Sequence, residues 1–101
     1  MKPRLAILIS GRGSNMSVLV DNCSTGLLHA EVAFVASDNP EAGGLLSAHQ
    51  RKIPTHLLPY SSLGGDNAER RLEILLEDHS AEWLLLAGFM RILSPRFVAL
   101  R

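Results

Sequence analysis

Hydrophobic positions along this chain fall into two alternating patterns, unbroken runs and helical repeats. The first run, residues 5–9 (Leu-Ala-Ile-Leu-Ile), has no polar alternation. A strand apolar at every position is buried on both faces, as in a parallel sheet. Met16, Leu19, Val20 and Cys23 then recur at i, i+3, i+4 and i+7, one face of an α-helix that Ser14 or Asn15 can cap and Gly26 can end. Residues 31–36 are a second apolar run. Asp38-Asn39-Pro40 closes it and opens a helix with Ala42, Leu45, Leu46 and His49 on one face. Residues 53–58 predict a short third strand, with Pro54 suggesting a sheet edge or a strand start. Residues 60–65 read as a loop. Asp66 followed by Glu69 resembles a capping box, and Ala68, Leu72, Leu75, Leu76 and His79 line one side of the helix that follows. Residues 82–87 are a fourth apolar strand, residues 88–93 a tight connection, and Ser94-Pro95 the start of a last helix.

The predicted order is β-α-β-α-β-α-β-(α). It calls for right-handed crossovers and an α/β fold, a Rossmann-like parallel sheet with helices on both faces. Ligands of such sheets bind beyond the C-terminal strand ends, where the strand order reverses. Those ends are residues 10–15, 37–39, 59–62 and 88–93.

Composition narrows the choice. At 101 residues the chain suits one domain, and 47% hydrophobic with 20% charged residues suits a soluble globular protein. Ten basic and ten acidic residues cancel, so no bulk field attracts nucleic acid or an anionic membrane, and any anion must be held by local geometry. The single cysteine, Cys23, forms no internal disulfide. A cytoplasmic protein without a multi-cysteine metal site is therefore expected. No apolar run approaches the roughly 18 residues of a membrane-spanning helix, and residues 5–9 are too short for a signal-peptide core.

Two strand ends carry candidate chemistry. Gly11-Arg12-Gly13-Ser14-Asn15 joins the first strand to the first helix. Unpaired amides and the positive dipole end of a helix attract an anion, and glycines allow its close approach. The stretch is neither a Walker loop nor a dinucleotide fingerprint, because Met16 stands where the third glycine belongs. A tight turn with a serine cap and no ligand fits the same residues. Residues 88–95, Gly-Phe-Met-Arg-Ile-Leu-Ser-Pro, form the second unusual stretch, and ordinary packing with a solvated Arg91 fits it equally. The two stretches flank one crevice if strands one and four are neighbours. Asp38, some twenty residues after the glycines, is read as turn chemistry and a helix cap. His49 and His79 lie by apolar helix faces, His29 falls in a surface loop, and His56 ends the third strand. No two histidines have metal-ligand spacing, and Cys23 is read as a core residue.

Together these stretches resemble the phosphoribosylglycinamide formyltransferase family, whose pattern I-S-G-x-G-S-N matches residues 9–15 and whose pattern L-A-G-F-M-R-I-L-S-P matches residues 86–95. The likeness spans all 101 residues and about the first half of such an enzyme, so the chain reads as the N-terminal part of a single formyltransferase domain. The resemblance implies transfer of a formyl group from 10-formyltetrahydrofolate, as cosubstrate, to the amino group of glycinamide ribonucleotide in purine synthesis, without a metal. It assigns Arg12, Gly13, Ser14 and Asn15 to the ribonucleotide phosphate and Gly88 to the ribonucleotide. It assigns Met90, Arg91, Ile92 and Leu93 to a folate pocket lined largely by backbone groups. The family's catalytic Asn, His and Asp, with the motif N-x-H-P-S, have no counterpart in residues 1–101. The chain alone is therefore expected to be a truncated, inactive, phosphate-binding half. Self-association is expected through the apolar strand edge at residues 83–87. Two other readings remain open at this point. One is another enzyme using 10-formyltetrahydrofolate, a hydrolase or a methionyl-tRNA formyltransferase. The other is a non-catalytic nucleotide-phosphate-binding module.

Overall fold

In the computed structural model, which describes residues 2–58, 60–89 and 91, the first apolar run becomes the inner strand β1 (Arg4–Ile9). It pairs in parallel with β2 (Glu31–Ser37) on one side and β4 (Trp83–Leu86) on the other, and β3 (Thr55–Leu57) lies beyond β2. The sheet order is β3-β2-β1-β4. The absence of alternation in β1 is explained by what covers it. Ala6 and Leu8 pack with Phe34, Ala68, Leu72 and Leu76 on the face of α3 (Tyr60–Asp78). Ile7 and Ile9 pack with Met16, Val20 and Ala48 on the face of α1 (Ser14–Thr25) and α2 (Gly43–Gln50). Each fully buried Leu, Ile, Phe or Met side chain among these contributes about 1.5–3 kcal/mol relative to exposure.

Four expectations need correction. The α1 start carries no side-chain cap from Ser14 or Asn15. Gly13 occupies the N-cap position at φ 77°. Asp38 does not cap α2, whose N-cap is Ala42. Of the face expected for α2, Ala42 is buried and Leu45 packs half-buried against the core, but Leu46 is 61% exposed and His49 faces solvent, with Gly44 and Ala48 buried instead. The cause is close approach: a Cβ on Gly44 would meet Ile9 Cδ1 at 2.3 Å, so only small residues fit against the end of β1, and Leu46 turns outward. Residues 60–65 are not an open loop. They begin α3, which breaks at Gly64 (φ 79°) and resumes with Ala68, Leu72, Leu75 and Leu76 buried as the spacing predicts.

Both edges agree with the sequence. Short β3 follows Pro54, whose carbonyl still accepts the Val35 amide at 3.0 Å. At the opposite edge β4 leaves Trp83 59% and Leu86 54% exposed. The helix expected from Ser94-Pro95 lies outside the described residues.

Candidate functional site

The sheet register sets the C-terminal strand ends level. Leu8 stands beside both Ala36 and Leu86, and the Ala87 amide donates to the Leu8 carbonyl at 2.9 Å. The chain runs outward from β1 through β2 to β3 and then returns across to β4. The order therefore reverses at β1, and the crevice between β1 and β4 is the switch point. The glycine-rich turn and Gly88 emerge on its two sides, as the condition on neighbouring strands requires.

The cradle is built by packing of two glycines. A Cβ on Gly13 would lie 2.8 Å from Gly44 Cα, and the Gly44 amide donates to the Gly11 carbonyl at 3.1 Å. The turn is thereby seated on the start of α2. Positive φ at Gly13 aims the chain into α1, where the Ser17 amide donates back to the Gly13 carbonyl at 2.8 Å. An α-helix starting there leaves the amides of Ser14, Asn15 and Met16 without intrahelical acceptors. No side chain caps this end and no acidic residue lies in its first turn. Arg12, Ser14 and Asn15 are exposed beside it. The arrangement offers a positive, uncompensated helix end with two hydroxyl or amide side chains at its rim, suited to a phosphate.

The other wall of the crevice is tied to the cradle through Asp38. Its side chain is only 8% exposed. Ser10 Oγ donates to Asp38 Oδ1 at 2.6 Å, and Arg91 Nε donates to Oδ2 at 2.9 Å. Within the Asp38-Asn39-Pro40 stretch the turn chemistry is supplied by Asn39: its Oδ1 accepts the Glu41 amide at 3.0 Å, and its Nδ2 donates to the Ser10 carbonyl at 3.3 Å. The Arg91 guanidinium also stands 5.1 Å from the centre of the Tyr60 ring, which meets Phe89 edge-on at 6.0 Å. Burial, and then the carboxylates of Glu69 and Asp38, push the Tyr60 phenol above its ordinary value, against the pull of Arg91. Arg91 is thus paired rather than solvated, a contact that sequence spacing did not reveal. Gly88 turns the chain out of β4 at φ 78°. Met90, Ile92 and Leu93 lie outside the described residues.

The remaining candidates are elsewhere. His56 and His79 bring their Nε2 atoms to 2.9 Å, and both rings contact Phe34. His29 and His49 are exposed. Cys23 is buried, and burial pushes its thiol up, opposite to what a nucleophile needs. An open groove lined by Lys2, Cys23, Glu31, Arg51 and Ile53 lies at the opposite ends of the strands, remote from the cradle. Among the described residues no group of three or more His, Cys, Asp or Glu could hold a metal ion, and no helix is long and apolar enough to cross a membrane.

A sequence profile described as formyl transferase matches residues 3–101. The chain belongs to the formyl transferase family. It is 40% identical over 96 residues to the phosphoribosylglycinamide formyltransferase of Escherichia coli, covering 94% of this chain and 45% of that protein. The crystal structure of phosphoribosylglycinamide formyltransferase from Brucella melitensis superposes with a TM-score of 0.90 at 35% identity, covering 98% of this chain and 52% of that one. A formyltetrahydrofolate deformylase from Pseudomonas putida also superposes at 0.90, with 26% identity, over 98% of this chain and 35% of that one. The chain spans about half the length of the curated bacterial relatives it matches.

Proposed function

We propose that this chain is the ribonucleotide-binding part of a phosphoribosylglycinamide formyltransferase, a cytoplasmic enzyme of purine synthesis that moves a formyl group from 10-formyltetrahydrofolate to glycinamide ribonucleotide. The observation that carries the reading is the open start of α1, uncapped and free of acidic residues, on the Gly11–Asn15 stretch that enters the crevice. Arg12, Gly13, Ser14 and Asn15 hold the phosphate, with Gly88 beside the ribonucleotide. Met90, Arg91, Ile92 and Leu93 line the folate side, beyond the turn that Gly88 makes at φ 78°. The names of the E. coli and B. melitensis relatives support the same activity. Residues 1–101 hold no Asn-x-His-Pro-Ser, so the 101-residue chain is expected to bind without turnover.

The deformylase likeness favours a second reading, a folate-formyl hydrolase. Its lower identity and the phosphate cradle speak for the first. Titration separates the readings. Inorganic phosphate and glycinamide ribonucleotide should shift the amide resonances of residues 11–17, and Ser14→Asp should weaken both by about tenfold or more through charge at the helix start. Ser14 is exposed, so the variant keeps its fold. Unchanged affinity in Ser14→Asp would overturn the cradle. Formyl transfer by the 101-residue chain above background would overturn its expected inactivity.

A further inference from the structure

We propose that Asp38 is a positioning residue. It fixes the segment after β4 against the end of β1 and so holds the folate wall of the crevice in register with the phosphate cradle. The inference rests on the reading of residues 88–93 as the folate side.

The segment leaves β4 through Gly88, whose positive φ is open to a wide range of directions. Something beyond the strand ladder must select one direction. The structure supplies a single carboxylate that reaches both ways, taking the Ser10 hydroxyl on one oxygen and the Arg91 guanidinium on the other. Ser10 directly precedes Gly11, the first residue of the cradle. The carboxylate is almost wholly buried, whereas Arg91 is 43% exposed. Burial removes competing water from the acceptor, and both bonds are charge-assisted. The Tyr60 ring beneath the guanidinium limits its motion further. The Arg91 side chain is thereby committed to Asp38 and Tyr60. Sequence gives no sign of this tether, because its three members stand 28 and 53 residues apart.

The test uses Asp38→Ala, Arg91→Ala and the double variant of the 101-residue chain, with two probes, inorganic phosphate and folic acid. Amide hydrogen exchange is read at Ala87, whose amide donates to the Leu8 carbonyl at the base of the segment. Asp38→Ala should speed exchange there about tenfold, weaken folic acid by a similar factor and leave phosphate affinity unchanged. Arg91→Ala should match it, and the double variant should add little, because both changes remove one tether. Equal weakening of phosphate and folic acid would mean a general structural role and overturn the proposal. Unchanged exchange in Asp38→Ala would overturn it as well. If the unmodified chain takes phosphate but not folic acid, the folate reading of residues 88–93 fails. The exchange rates then decide the tether alone, acceleration supporting it and no change removing it.

Discussion

Gly13 shows how much a single residue carries at this site. It must adopt φ 77° and also lie against Gly44, with no room for a Cβ between them. Gly13→Ala is expected to cost about 1–3 kcal/mol from backbone strain alone, and more from the contact, read as a lower denaturant midpoint. The His56–His79 pair makes a second prediction at this scale. Burial, then the neighbouring His79 and Arg71, push the His56 imidazole below its ordinary 6.5. Charging it therefore costs more in the folded chain than in the unfolded one. Its contribution is complete above pH 6.5 and is lost as the pH falls from there toward the lower folded value. Arg4, whose Nε donates to the His79 carbonyl at 2.7 Å, keeps a further cation near the pair. Denaturation followed from about pH 8 down to about pH 5 should show this loss, and His56→Gln should flatten it. A profile as steep in His56→Gln as in the parent would assign the loss to other groups.

At the scale of elements, α2 departs most from its periodic pattern. Helix spacing alone places Leu46 and His49 on the buried side, but close contact with Ile9 and Gly13 rotates the small residues inward. Two substitutions should separate these accounts. Leu46→Gln is expected to change stability by less than about 0.5 kcal/mol, as for other exposed positions. Gly44→Ala, which in an isolated helix would stabilise by about 1 kcal/mol, should destabilise here and also loosen phosphate binding, since it displaces Gly13. Thermal melts and phosphate titration of the two variants check both. α3 teaches a related lesson. Its first turn precedes Gly64 and contains Ser61, Ser62 and a run without apolar spacing, so the pattern signals only the part after the break.

For the whole molecule, the parallel sheet formed by the described residues has β4 at an edge with Trp83 and Leu86 exposed. Such an edge offers free strand bonds next to apolar surface. Pairing with a second copy through residues 83–87 is the expected consequence. Sedimentation velocity of the 101-residue chain should show a concentration-dependent larger species that Trp83→Lys removes. A clean monomer at all concentrations would rule this out. The same strand order makes the crevice a single site, because it is the neighbouring of β1 and β4 that sets Gly13 and Gly88 on its two sides.

The alternation of unbroken and 3.6-residue patterns was enough for the strands, the main helices and the parallel α/β class, because each depends on neighbours only a few residues away. The Gly11–Asn15 turn was legible for the same reason: glycine spacing and a helix start are local chemistry. The facing of α2, the Asp38 tether and the histidine pair were not legible. Each joins residues from different elements, and the contact exists only once the sheet has taken the order β3-β2-β1-β4. In the sequence Asp38 reads as a turn residue and helix cap, since nothing near it in the chain marks Ser10 or Arg91 as its partners. Local periodicity carries the elements. Long-range packing, which sets one strand beside another and turns a carboxylate inward, assembles the site.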